Sequence, residues 1–214
     1  YGQGLLEWPY QRQSIVLHIR YLHLKIMLYR PVLFPKNRDH DCTSGINRTD
    51  LYMSSQRSIS KFCVEAAVEL ISMISRFRLA DITLLPAIWY NGFYIYTAAS
   101  VLLAAKLQPC LQADLDKTKL ESSWKMMTEL LSSYKSESRS AARCLKVLEM
   151  MKDRIKFTNQ VFSDQKYYFH QPEESYSAYS ESEVPNDLLY SLMYNTECPF
   201  GGPFFYNNEF DRLI

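Results

Sequence analysis

A chain of 214 residues, 47% of them hydrophobic and with a mean hydropathy of −0.24, suits one globular domain with or without a tail and argues against a membrane-embedded body. The net charge of +1 conceals a division: residues 1–159 hold 22 Lys and Arg against 14 Asp and Glu, a balance of +8, whereas residues 160–214 hold Lys166 and Arg212 against nine acids, a balance of −7. Five cysteines, at positions 42, 63, 110, 144 and 198, are odd in number and form no C-x-x-C pair, which argues against a disulfide framework or a zinc cluster and for a reducing compartment.

Tyr1 rather than Met opens the sequence, which reads as a piece of a longer chain, and no basic n-region with an apolar core follows it. Residues 1–12 read as an extended lead-in around Trp8-Pro9. The first helix runs from Ile15 to Arg30-Pro31. Ile15, Ile19, Leu22, Ile26 and Tyr29 line one face, and Leu17, Tyr21, Leu24 and Leu28 a neighbouring one. Two apolar faces predict a helix buried between other helices. Residues 32–53 read as a long polar loop, unusual in a compact domain unless it is functional.

A second helix is expected over about 54–77, capped by Ser54 or Ser55. Its core face is Ile59, Cys63, Ala66, Leu70 and Ile74, and Ala66-Ala67 makes a thin section for close approach. Pro86 suits the first position of a third helix reaching Ala105. That helix carries no charge, but Asn91, Gly92, Thr97 and Ser100 interrupt it and aromatics fill its middle, so it reads as the central helix of a soluble core rather than a membrane span. A fourth helix, about 115–134, turns Leu120, Trp124, Met127 and Leu131 inward. A fifth, about 141–157, turns Cys144, Leu148, Met151 and Ile155 inward. No useful strand alternation occurs, so the fold class is all-α: an irregular bundle of about five helices with a less regular acidic-aromatic C-terminal segment.

Chemistry-bearing patterns are sparse. Asp39-His40-Asp41-Cys42 is the nearest approach to a metal site, but four consecutive ligands seldom reach one ion, and it reads as a solvated loop. His18 and His23, five apart, fail the i, i+4 geometry of a zinc pair. No G-x-S-x-G, P-loop or G-x-G-x-x-G occurs, and no catalytic or metal-binding residue is assigned. Trp89, Tyr90, Phe93, Tyr94 and Tyr96 suit an apolar effector pocket, or plain core at helical spacing. In the tail, Phe204, Phe205, Tyr206, Phe210 and Leu213 mix with Glu209 and Asp211 as in activation segments. Equally, these aromatics could fold back onto the basic body, and both readings can coexist if docking silences the tail.

Leu28-Tyr29-Arg30-Pro31, Cys63-Val64-Glu65-Ala66-Ala67, the Phe93-Tyr94-Ile95-Tyr96 centre with Ala98-Ala99, and Trp124 to Leu131 followed by Ser140-Ala141-Ala142 stand in an order that resembles the regulatory domain, or middle homology region, of fungal zinc-cluster transcription factors. The resemblance spans about residues 13–157. It implies a non-enzymatic helical regulatory domain over 1–159, the C-terminal part of a longer one, with residues 160–214 as an activation region. It also implies a nuclear protein, shuttling with the cytoplasm, that engages transcriptional co-regulators, a small apolar effector, a second copy of itself, and no membrane. DNA and zinc belong, on this resemblance, to an N-terminal six-cysteine domain outside the chain; no cofactor is expected within it. The competing expectation is a helical scaffold for protein assembly without a transcriptional role.

Overall fold

The computed structural model describes residues 3–33, 46–112 and 114–168, and among them the chain is all-α with no strand. Five long helices, α1 (Gln3–Tyr29), α2 (Ile46–Ala80), α3 (Ile88–Lys106), α5 (Lys117–Ser133) and α6 (Arg139–Tyr168), are joined by the single-turn α4 (Pro109–Gln112) and by 3₁₀ turns at Arg30–Leu33 and Ile82–Leu84.

α3 is the axis of the bundle. From Tyr94 to Ala105 every side chain is buried, and the helix packs against α1, α2, α4, α5 and α6. A helix that is apolar all round is stable only when enclosed on all sides. Its two buried hydroxyls are satisfied locally: Thr97 Oγ1 donates to the Phe93 carbonyl (3.0 Å) and Ser100 Oγ to that of Thr97 (2.7 Å). The central-helix expectation for this segment therefore holds. On α2, Ala66 and Ala67 are 1% and 0% exposed, as their small size at a helix contact requires.

The inward stripes of the later helices are also as the spacing predicts. Leu120, Trp124, Met127 and Leu131 of α5 are buried, as are Cys144, Leu148, Met151 and Ile155 of α6. Asp116 caps α5, its carboxylate accepting from the backbone N–H of Thr118 (2.9 Å) and Lys119 (3.2 Å). At one end of the bundle the Arg78 guanidinium lies over the ring of the fully buried Tyr134 (4.3 Å), tying the close of α2 to that of α5.

Several boundaries differ from expectation. Residues 3–12 are helical, not extended, although Pro9 interrupts the backbone ladder there. A tertiary tie holds this turn: Trp8 Nε1 donates to Thr83 Oγ1 (3.3 Å) and Arg12 Nε to the Thr83 carbonyl (3.1 Å). Thr83 is in turn fixed by Asp81, which caps the Ile82–Leu84 turn. α2 begins at Ile46, so residues 46–53 are helix rather than loop, and Ser54 and Ser55 lie inside it instead of capping it. The Gln56 amide donates to the Val32 carbonyl (3.3 Å), securing this early part of α2 to the first 3₁₀ turn. Pro86 stands before α3, with Ala87 as N-cap in an extended conformation, and Asn91 Nδ2 closes the turn on the Pro86 carbonyl (2.8 Å). α6 continues past Phe157 to Tyr168. The Asp39–Cys42 cluster and all residues after Tyr168 lie outside the described residues.

The largest correction concerns α1. Ile15, Ile19, Leu22 and Ile26 are buried, but Leu17, Tyr21, Leu24 and Leu28 are not. α1 packs on α2 and α3 along one face, and its second apolar face meets no other described element.

Burial separates two apolar residues of similar hydrophobicity. Ile19→Ala, at a fully enclosed site, costs about 2–5 kcal/mol of unfolding free energy, whereas Leu79→Ala, 86% exposed, changes it by less than about 0.5 kcal/mol. Urea denaturation of both variants measures the contrast, and similar losses at the two positions would contradict this packing.

Candidate functional site

Four of the five aromatics expected to line an effector site form a continuous surface on the first half of α3. Trp89 stacks on Tyr90 with ring centroids 3.4 Å apart, Tyr90 lies 6.2 Å from Tyr94, and Phe93 lies 5.9 Å from Tyr94. Tyr96 points some 200° around the helix from Tyr94 but only about 60° from Phe93, and like Tyr94 it is enclosed. It is 8% exposed and part of the hydrophobic core. The other group of candidates, Phe204, Phe205, Tyr206, Phe210 and Leu213, lies outside the described residues.

The surface has a polar centre that spacing alone does not disclose. His23 of α1 inserts its imidazole against Phe93 (5.0 Å) and Tyr94 (4.8 Å), and its Nε2 is buried without a hydrogen-bond partner. Burial, assisted by the nearby Arg30 cation, pulls the His23 pKa down to about 4. The ring is therefore neutral at physiological pH, with its Nε2 enclosed among aromatic walls. Burial likewise raises the Tyr94 phenol above its usual range, against the pull of Arg20.

Cys63 of α2 is buried against α1, its thiol donating to the Ile26 carbonyl at 3.8 Å. Burial pushes this thiol up to about 12, so it stays protonated and has none of the thiolate character of a nucleophile. By contrast His18, exposed on the outside of α1, reaches Glu69 of α2 at 3.5 Å and adds nothing to this site. The arrangement offers partly exposed stacked rings backed by a buried, neutral imidazole, which suits a flat, largely apolar molecule. Trp89, 42% exposed, forms its accessible edge.

Among the described residues, no three His, Cys, Asp or Glu side chains gather where a metal could bind, and no helix is long and apolar enough to cross a membrane.

Comparison with known proteins finds similarity over about two-thirds of this chain. The chain is 30% identical over 146 residues to sorbicillinoid biosynthetic cluster transcription factor 2 of Penicillium rubens, a match covering 67% of this chain and 21% of that protein. It is 27% identical over 149 residues to sorbicillinoid biosynthetic cluster transcription factor sor3 of Hypocrea jecorina, covering 67% of this chain and 22% of that protein. The chain thus spans about a fifth of the length of the curated relatives it matches. No protein-family profile and no solved structure matches it.

The buried imidazole gives the fold a pH signature. Because His23 binds its proton less readily folded than unfolded, the unfolded chain takes up more protons between about pH 4 and the ordinary value of 6.5. Stability contributed by the neutral ring is complete above pH 6.5 and declines as pH falls toward 4, by about 3 kcal/mol. In thermal melts across this range, His23→Leu removes that part of the acid sensitivity. A variant that tracks the parent chain at every pH would contradict the buried, neutral assignment.

Proposed function

We propose that this chain is the helical regulatory region of a fungal transcription factor of the zinc-cluster kind, acting in the nucleus on a biosynthetic gene cluster and performing no catalysis. The observation that carries the reading is its similarity, over two-thirds of its length, to two fungal factors that are each named for the sorbicillinoid biosynthetic cluster. The all-α bundle agrees with it. DNA recognition and its zinc belong, on this reading, to a part of the protein outside this sequence.

Regulation works through two surfaces. The Trp89–Tyr90–Phe93–Tyr94 rings with His23 receive a flat apolar effector, and the acidic-aromatic residues 160–214 contact transcriptional co-regulators. The second role rests on composition: nine acids and 13 aromatics share those residues. Acid keeps the segment solvated while its rings supply the anchors a partner groove requires.

Residues 160–214 fused to an unrelated DNA-binding domain drive a reporter gene, and Phe205→Ala combined with Phe210→Ala abolishes the signal. An inactive fusion, or an unaffected double variant, removes the activation role. For the effector, a panel of flat apolar metabolites is screened by thermal shift. A ligand at 100 times its Kd stabilises the chain by about 2.7 kcal/mol, and Tyr90→Ala diminishes the shift. A panel without any shift counts against the aromatic surface as a receptor.

A further inference from the structure

The face of α1 that meets no other element among the described residues has the form of a helix-packing seam. Leu17, Tyr21, Leu24 and Leu28 recur at steps of four, three and four, and are 64%, 56%, 66% and 67% exposed. This is the a/d spacing with which one helix receives another. The charged residues of α1 beside it carry one sign, although Glu69 of α2 stands at His18 on its flank. From Trp8 to Leu33 the chain holds Arg12, Arg20, Lys25 and Arg30 and no Asp or Glu. Two copies of α1 packed together would set Arg20 and Lys25 of one against the same cations of the other, so the seam disfavours a second copy and favours an acidic helix.

The same chain contains such a sequence. Between Phe169 and Asp211 stand Glu173, Glu174, Glu181, Glu183, Asp187, Glu197, Glu209 and Asp211, with no Lys or Arg. Inside this run Leu188, Leu189, Leu192 and Met193 recur at i, i+1, i+4 and i+5, after Pro185 and Asp187, a helix-start pattern. Residues 184–194 as a helix would extend about 16 Å, the length of the Leu17–Leu28 seam. The roughly 15 residues between Tyr168 and Val184 can reach at most about 50 Å, more than the approximately 30–40 Å diameter of a body of this size.

We propose that residues 184–194 dock as an amphipathic helix on the Leu17–Tyr21–Leu24–Leu28 seam of α1, with their acidic neighbours beside Arg20 and Lys25. The docking deepens the regulatory reading and rests on it for its biological role, but not for its physical test. It leaves Phe204–Ile214 off this seam, available to a partner, so the two halves of the acidic region have different work.

Lys25 is the one lysine of α1, which makes zero-length carbodiimide coupling a direct probe. The whole 214-residue chain is treated as an equal mixture of ¹⁴N- and ¹⁵N-labelled protein, and coupled peptides are identified by mass spectrometry. The expected product joins Lys25 to Glu181, Glu183 or Asp187 within a single chain. It is lost in Leu24→Glu and in Leu189→Glu. Leu24 is exposed, so its variant keeps the helical circular dichroism of the parent. Mixed-isotope products would assign the seam to a second copy, coupling to Glu209 or Asp211 would assign it to the extreme C-terminus, and uncoupled Lys25 would leave it without this occupant. Each of these results overturns the proposal. The reporter experiment is independent of them: an inactive 160–214 fusion with intact cross-linking would remove the activation role and keep the docking.

Discussion

The architecture depends on the enclosure of α3. A helix with Ile95, Ala98, Ala99, Val101, Leu102, Leu103, Ala104 and Ala105 all at 0–1% exposure has no side that can face water. Every neighbouring helix is therefore committed to covering it, and each does so with one stripe. Small residues set how closely they approach: Ala98 and Ala99 on α3, Ala66 and Ala67 on α2. Polar side chains are tolerated at Thr97 and Ser100 because both hydroxyls bond back to their own helix.

The aromatic surface is a by-product of how α3 enters this enclosure. Its first turn emerges from the Pro86–Ala87 turn at the edge of the bundle, so Trp89, Tyr90 and Phe93 are only partly covered while Tyr94 is already buried. The histidine of α1 meets them where burial shifts to exposure. Neutral His23 is tolerated there because the aromatic rings shield it and Arg30 disfavours a second positive charge. Burial that keeps His23 neutral has its counterpart at Cys63, which burial keeps protonated.

The charge division of the sequence becomes meaningful on this frame. A basic α1 with an uncovered apolar seam and an acidic C-terminal region rich in leucine and aromatics are complementary in sign and in hydrophobicity. The opposition lies within one chain, so docking of the kind proposed would proceed at high effective concentration and at any protein level.

Periodicity by itself determined the fold class, the central role of α3 and the inward stripes of α5 and α6, because a 3.6-residue repeat fixes which residues share a face. It also fixed the apolar ring set on the early part of α3. It did not determine which of two apolar faces on α1 is covered: Ile19 and Leu24 are equally apolar, and only the placement of α2 and α3 buried the first and left the second in water. Helicity across Pro9 and residues 46–53 likewise came from tertiary ties at Thr83 and Val32, which no local propensity encodes. The pairing of His23 with Phe93 and Tyr94 joins residues about 70 positions apart, and spacing along a single helix carries no information about a neighbour that only packing supplies.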